Sequence, residues 1–94
     1  MNELSAIRIN VYGRVQGVGF RYTTQKKASH LGLTGWVRNE LDGSVEICCE
    51  GEAMAITAFL DWLESGGPRT CRISDSNYTK VDYTGTYSRF SIEY

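Results

Sequence analysis

The chain has 94 residues, three cysteines, one histidine and a net charge of −1, with 41% apolar and 22% charged residues. That length suits one domain, 1–94, whose core can stand without obligatory metals or disulfides, and the balance excludes a disordered or collagenous chain. No run approaches the length of a membrane span, and the opening MNELSAIRINVYG has no continuous apolar stretch, so the expectation is a soluble, cytoplasmic protein.

In chain order, Ile7, Ile9 and Val11 alternate with Arg8, Asn10 and Tyr12, which predicts a half-buried first strand. The stretch VYGRVQGVGFRYT follows, where Gly13, Gly17 and Gly19 crowd into seven residues that run straight into Arg21. Glycine at this density points to unusual dihedrals or to a ligand pressed against bare backbone. Two readings stand: tight turns, or a nest of N–H groups in RVQGVGF that holds phosphate oxygens, helped by a helix amino end and the forked donors of Arg21. No Gly-Lys-Ser/Thr follows, so this is not a nucleotide-binding P-loop.

Phe20, Thr24, Ala28 and Leu31 then recur at helical spacing, with Gly32 as the stop. His30 sits at the far end of this helix and reads as a surface or packing residue. Trp36 to Leu41 and Ser44 to Glu50 read as strands around Asp42-Gly43, a tight-hairpin signal. Asn39 falls on the strand face of Val37 and Leu41, where an apolar residue is expected. Its amide either holds a water in a chosen orientation or opens the hairpin turn, and the pattern alone leans to the turn. Ala53, Ile56, Phe59, Leu60 and Leu63 form an apolar helical stripe ended by Gly66-Gly67-Pro68. Cys71 to Tyr83 carries little legible pattern, and Phe90, Ile92 and Tyr94 alternate once more. Trp36, Phe59 and Trp62 read as core or partly buried aromatics.

A strand, helix, strand, strand, helix, strand order predicts an α+β sandwich, a mainly antiparallel sheet with two helices on one face. A right-handed crossover between the first two strands leaves room for the third between them. The result is the order 4-1-3-2 of a ferredoxin-like βαββαβ arrangement, with the glycine loop at one sheet end. Charge is uneven: Leu4 to Asn39 holds six basic residues and no acid, whereas ten acids face four bases from Glu40 onward. The anion-seeking half therefore contains the glycine loop, although a solvated basic face gives the same count. Cys48, Cys49 and Cys71 are odd in number and read as structural thiols, with a Cys49–Cys71 disulfide as the minor option. With one histidine and no Cys-x-x-Cys, no metal site is expected.

GRVQGVGFR at Gly13 to Arg21, followed by GWVRNELDGSVEICCEG at Gly35 to Gly51, resembles the two signature segments of the acylphosphatases, and the similarity spans nearly the whole chain. The resemblance implies hydrolysis of carboxyl-phosphate mixed anhydrides without metal or cofactor. It also implies a phosphate-binding role for Arg21, a water-positioning role for Asn39, and a phosphate cradle made by the backbone of Val15, Gln16, Gly17, Val18, Gly19 and Phe20. An acyl phosphate already has a good carboxylate leaving group, so such a site has mainly to position water and offset phosphoryl charge. The expected partners are a small-molecule acyl phosphate and the product inorganic phosphate, with no nucleic acid and no membrane, for a monomer. One rival is an RNA-binding module, which shares the element order, but here GVGFRY lies on a loop entering a helix and not on a sheet face. The other is a non-catalytic acyl- or carbamoyl-phosphate-binding unit of a larger enzyme, against which stands the presence of both Arg21 and Asn39 in a stand-alone chain.

Overall fold

Alternating burial starts the fold at β1 (Leu4–Arg14), where Ile7, Ile9 and Val11 are buried and Arg8 and Tyr12 are exposed. The structure, a computed structural model, describes residues 3–94; Met1 and Asn2 of the expected 1–94 unit lie outside the described residues. After a turn through residues 15–19 the chain enters α1 (Phe20–His30), with Phe20, Thr24 and Ala28 as its buried stripe. Gly32, at φ 79°, ends the helix, and the Leu33 N–H donates back to Ala28 O at 2.9 Å.

β2 (Thr34–Asn39) and β3 (Val45–Glu52) pair antiparallel, from Thr34 opposite Glu50 to Asn39 opposite Val45. The second strand stops two residues short of the expected Leu41, because the turn is wider than Asp42-Gly43 alone. The Glu40 N–H donates to Ser44 O at 2.8 Å and the Gly43 N–H to Glu40 O at 3.1 Å, which leaves Leu41 fully exposed at the tip. Asp42 sets this geometry by accepting at Oδ1 from the Ser44 hydroxyl at 2.5 Å and the Ser44 N–H at 2.9 Å, a local turn that competes with the ladder. The same hydroxyl and N–H hold its carboxyl below the usual aspartate range.

α2 (Ala53–Glu64) buries Ile56, Phe59 and Leu63 and ends where the N–H groups of Gly66 and Gly67 turn back to Leu63 O and Trp62 O, both at 3.0 Å. The stretch with little legible pattern contains β4 (Arg72–Val81), an outer strand antiparallel to β1. Nearly every residue of β4 is exposed, so neither face demands apolar side chains and no period-two signal is written there. The alternating Phe90 and Ile92 belong to β5 (Phe90–Glu93), which pairs parallel with β2 on the opposite edge. The sheet order β4-β1-β3-β2-β5 is thus the predicted 4-1-3-2 core with one strand added.

Both helices lie on one face, α1 over β2 and β5, α2 over β3 and β1. Between the layers Ile7, Ile9, Val37 and Ile47 meet Phe20 and Phe59, each such side chain stabilising the fold by about 1.5–3 kcal/mol on burial. Residues 82–89 run across the uncovered face from the β4 edge to the β5 edge. Glu50 anchors that crossing, its buried carboxylate accepting from the Thr84 N–H at 3.0 Å, the Thr84 hydroxyl at 2.8 Å and the Gly85 N–H at 2.9 Å. Trp36 is buried on this same side, its Nε1 donating to the Tyr87 hydroxyl at 3.2 Å and its ring lying 4.5 Å from the Arg38 guanidinium. Cys48, Cys49 and Cys71 are buried free thiols. Burial pushes the Cys49 thiol far above the usual range, with a smaller contribution from Cys48, and raises Cys71 as well.

Candidate active site

The end of β1 prepares the glycine loop. The ladder with β4 slips between Tyr12 and Gly13, and Gly13 takes φ 127° where a Cβ would run into the Arg72 carbonyl. Beyond it, Gly17 and Gly19 adopt left-handed φ values of 74° and 80°, while no non-glycine residue has a positive φ, so handedness alternates from Gln16 to Phe20. Such alternation is the backbone pattern that turns successive N–H groups toward an anion. Among the described residues the N–H groups of 16–22 donate to no protein acceptor, and Thr23 is the first residue of α1 whose N–H is bonded, to Gly19 O at 3.1 Å. A Cβ at Gly17 or Gly19 would meet open space, so dihedral angle and not crowding requires glycine at both.

Side chains fix the loop from several directions. Val15 is buried in the core, and the Thr70 hydroxyl donates to Val18 O at 2.6 Å. Gln16 Nε2 donates to both Glu40 O and Ser44 O, each at 2.8 Å, which ties the loop to the turn that follows Asn39. The side chains of Gln16 and Val18 are therefore engaged outside the cleft. Their side chains hold the loop in place, Val18 packing against the core.

A cleft of about 250 Å³ opens above this backbone. Its floor comes from Val15, Gly17, Gly19 and Phe20, and it brings Arg21 and Asn39 together. Arg21, in the first turn of α1, donates from one guanidinium nitrogen to Glu93 O at 3.4 Å and stacks 4.9 Å from the Tyr94 ring centre. No carboxylate pairs with it among the described residues, and the first turn of α1 holds no acid. Asn39 ends β2 opposite Val45, outside the hairpin turn, and its Oδ1 is buried without a hydrogen-bond partner among the described residues. A buried amide oxygen left unmatched ordinarily costs about 1–3 kcal/mol.

Tyr22, Ile92 and Tyr94 complete the walls. The sequence signals only that Ile92 and Tyr94 alternate with Phe90; that they face the glycine loop depends on the parallel pairing of β5 with β2, a long-range contact with no local mark. His30 lines a separate groove along α1. Phe20 is buried beneath the loop and presents no stacking surface, contrary to what an RNA-binding aromatic motif requires.

A family model described as acylphosphatase matches residues 7–92. The chain belongs to the acylphosphatase family. It is 51% identical over 88 residues to an acylphosphatase of Mannheimia succiniciproducens, an alignment covering 89% of this chain and 92% of that protein. Among solved structures it resembles an acylphosphatase from Coxiella burnetii with a TM-score of 0.89 at 38% identity, covering 98% of this chain and 94% of that one. The acylphosphatase from Bacillus subtilis superposes with a TM-score of 0.87 at 42% identity, covering 98% and 100%. Acylphosphatases are hydrolases, and the chain is an enzyme of that class.

Proposed function

We propose that the chain, acting as one domain, hydrolyses the carboxyl-phosphate bond of small acyl phosphates, with Arg21 and the Val15–Phe20 backbone binding the phosphoryl group and Asn39 positioning the attacking water. The observation that carries this reading is the unmatched Asn39 Oδ1 in the same cleft as Arg21 and a loop of unbonded N–H groups. The phosphoryl oxygens sit against the N–H groups at the start of α1, where the helix adds partial positive charge, and Arg21 supplies two forked donors to the same oxygens. Both offset charge on the equatorial oxygens as the transition state forms. Water donates to Asn39 Oδ1 and is aimed at phosphorus opposite the acyl oxygen. The new P–O bond forms as the bond to the acyl oxygen breaks, the electron pair leaves with the carboxylate, and the water proton passes to a phosphoryl oxygen. No protein base is needed for so good a leaving group.

Arg21 acts on phosphate in ground and transition states alike, whereas Asn39 acts on a water that phosphate binding does not require. With acetyl phosphate as substrate, Arg21→Ala is expected to weaken competitive inhibition by inorganic phosphate and to lower turnover. Asn39→Ala is expected to lower kcat while phosphate affinity stays almost unchanged, each rate loss being on the order of a hundredfold. A folded Asn39→Ala protein with near-normal kcat, or with phosphate affinity as damaged as in Arg21→Ala, would remove Asn39 from the mechanism.

A further inference from the structure

A loop built on glycines can present either edge of a peptide to a ligand, because glycine takes positive and negative φ about equally readily. Gly19, at φ 80° and ψ 14°, stands in the backbone state of the third residue of a type II turn. Type I and type II turns differ by rotation of the central peptide plane, so the Val18–Gly19 peptide can turn over with little movement of its neighbours once φ at Gly19 changes sign. The peptide is trans, which points its N–H and its C=O in opposite directions. One orientation offers the Gly19 N–H to the cleft, and the other offers the Val18 carbonyl oxygen, which repels an anion. We propose that Thr70 decides between them: its hydroxyl holds Val18 O away from the cleft and thereby keeps the Gly19 N–H turned toward the phosphoryl group. The inference rests on that group occupying the cleft beside Arg21, and it makes Thr70 a positioning residue that acts without touching substrate.

Thr70 reaches the loop from the β4 side of the sheet. It precedes β4, the edge strand beyond β1, whereas Asn39 and Ile92 of the cleft come from β2 and β5 toward the other edge. Its hydroxyl donates to Val18 O at 2.6 Å, and among the described residues this carbonyl accepts no other protein donor. The donor is itself well anchored. Pro68 and Cys71 are buried, and Pro68 O accepts from the Cys71 N–H at 3.2 Å and from the Cys71 thiol at 3.1 Å. Arg72 then pairs with Arg14 at the end of β1, where Gly13 leaves room for the Arg72 carbonyl. The peptide it holds has little resistance of its own. The Gly19 N–H bonds to no protein acceptor among the described residues, and a Cβ at Gly19 would meet open space, so no side chain crowds this position. Val18 packs its side chain on the core, but a flip turns only its ψ and leaves that side chain in place. The Thr70 hydroxyl is thus the side-chain bond that distinguishes the two orientations.

The test measures the inhibition constant of inorganic phosphate, and KM and kcat for acetyl phosphate, in wild type, Thr70→Val and Thr70→Ser. Valine keeps the shape of the side chain and loses the donor, whereas serine keeps the donor. A cradle only partly in its competent orientation binds more weakly by the competent fraction, and saturating ligand restores that orientation. Thr70→Val is therefore expected to raise the inhibition constant and KM together by about fivefold, the worth of one exposed hydrogen bond, with kcat within about twofold of wild type. Thr70→Ser should stay near wild type in all three. In wild type the amide proton of Gly19 is expected to move downfield as phosphate saturates, and Thr70→Val to need more phosphate for the same shift. An inhibition constant and KM within about twofold of wild type in Thr70→Val, whatever its Tm, overturns the role of Thr70. So does a fall in kcat as large as the rise in KM, equal damage in Thr70→Ser, or a Gly19 amide in wild type that does not respond to phosphate. Wild type that neither hydrolyses acetyl phosphate nor is inhibited by phosphate overturns the cleft reading itself, an outcome distinct from an active enzyme indifferent to Thr70.

Discussion

Gln16 spends its side-chain nitrogen on two carbonyl oxygens of one turn, those of Glu40 and Ser44, and that turn begins one residue after Asn39. Gln16→Leu removes both bonds at nearly constant volume. Glu40 O keeps the Gly43 N–H and Ser44 O keeps the Glu40 N–H, so neither carbonyl is stranded. A loss of about 1–2 kcal/mol is expected, lowering Tm by roughly 4–8 °C per kcal/mol. Asn39 also loses its fixed distance from the cradle, so kcat should fall further than phosphate affinity does. Gln16→Glu is sharper, because an ionised carboxylate only accepts and would face two other acceptors. The fold then favours its protonated form and raises its pKa. Its stability should match or exceed that of the leucine variant at low pH, where the carboxyl can donate, and drop below it as pH rises through that raised value. Melting curves of both variants across pH check the sign, and an unchanged Tm and kcat in Gln16→Leu would mean that the tie is incidental.

Glycines in separate elements answer to different constraints. In β2, Gly35 has φ 131° and a Cβ there would collide with the Cys48 carbonyl of the neighbouring strand, so Gly35→Ala must push β2 from β3 and is expected to destabilise the protein by more than about 3 kcal/mol. In the loop before α1 a Cβ on Gly17 meets nothing, and Gly17→Ala carries only the left-handed penalty of about 1–2 kcal/mol, yet phosphate binding should weaken because the N–H groups swing away from the anion. Denaturant unfolding beside phosphate inhibition separates the two, and equal stability losses would refute the contrast. The same division explains what the sequence discloses. β1, α1 and α2 each bury one side, so Ile7-Ile9-Val11, Phe20-Thr24-Ala28 and Ile56-Phe59-Leu63 stand out by their periods. β4 buries neither face and passes unread, and the alternation at Phe90 and Ile92 is legible without revealing that it adds a fifth strand beside β2. At the candidate site Arg21, Asn39 and the loop are visible as a motif. The Gln16 tie spans 24 and 28 residues, and the walls from Ile92 and Tyr94 close only in three dimensions, so neither leaves a local trace.

For the molecule as a whole, the cleft gathers N–H donors and one guanidinium, and among the described residues no aspartate, glutamate, histidine or cysteine lines it. Such a donor set suits an anion and offers a divalent cation little. Acetyl phosphate hydrolysis is therefore expected to persist in excess chelator, to be inhibited competitively by inorganic phosphate, and to weaken in kcat/KM as added salt screens the basic first half of the chain. Loss of turnover in chelator, restored by a divalent ion, would contradict the anion-cradle mechanism. The crossing segment 82–89 carries a kinetic corollary. Four strand spacings separate β4 from β5, about 19 Å, and the segment can reach roughly 30 Å at full stretch, so β5 hangs from a short tether with some slack, pinned at Glu50. An edge strand of four residues detaches easily, but such a tether keeps its local concentration in about the millimolar range and it returns before the rest of the sheet can open. Amide protons of Ile92 and Glu93 should then exchange with deuterium well ahead of those of Ile47 and Cys49, and saturating phosphate, by holding Arg21 against the β5 end, should slow the first pair selectively; uniform exchange across the sheet would argue against it. Ile92 and Tyr94, which wall the cleft, are thereby expected to belong to the end of the sheet that opens first.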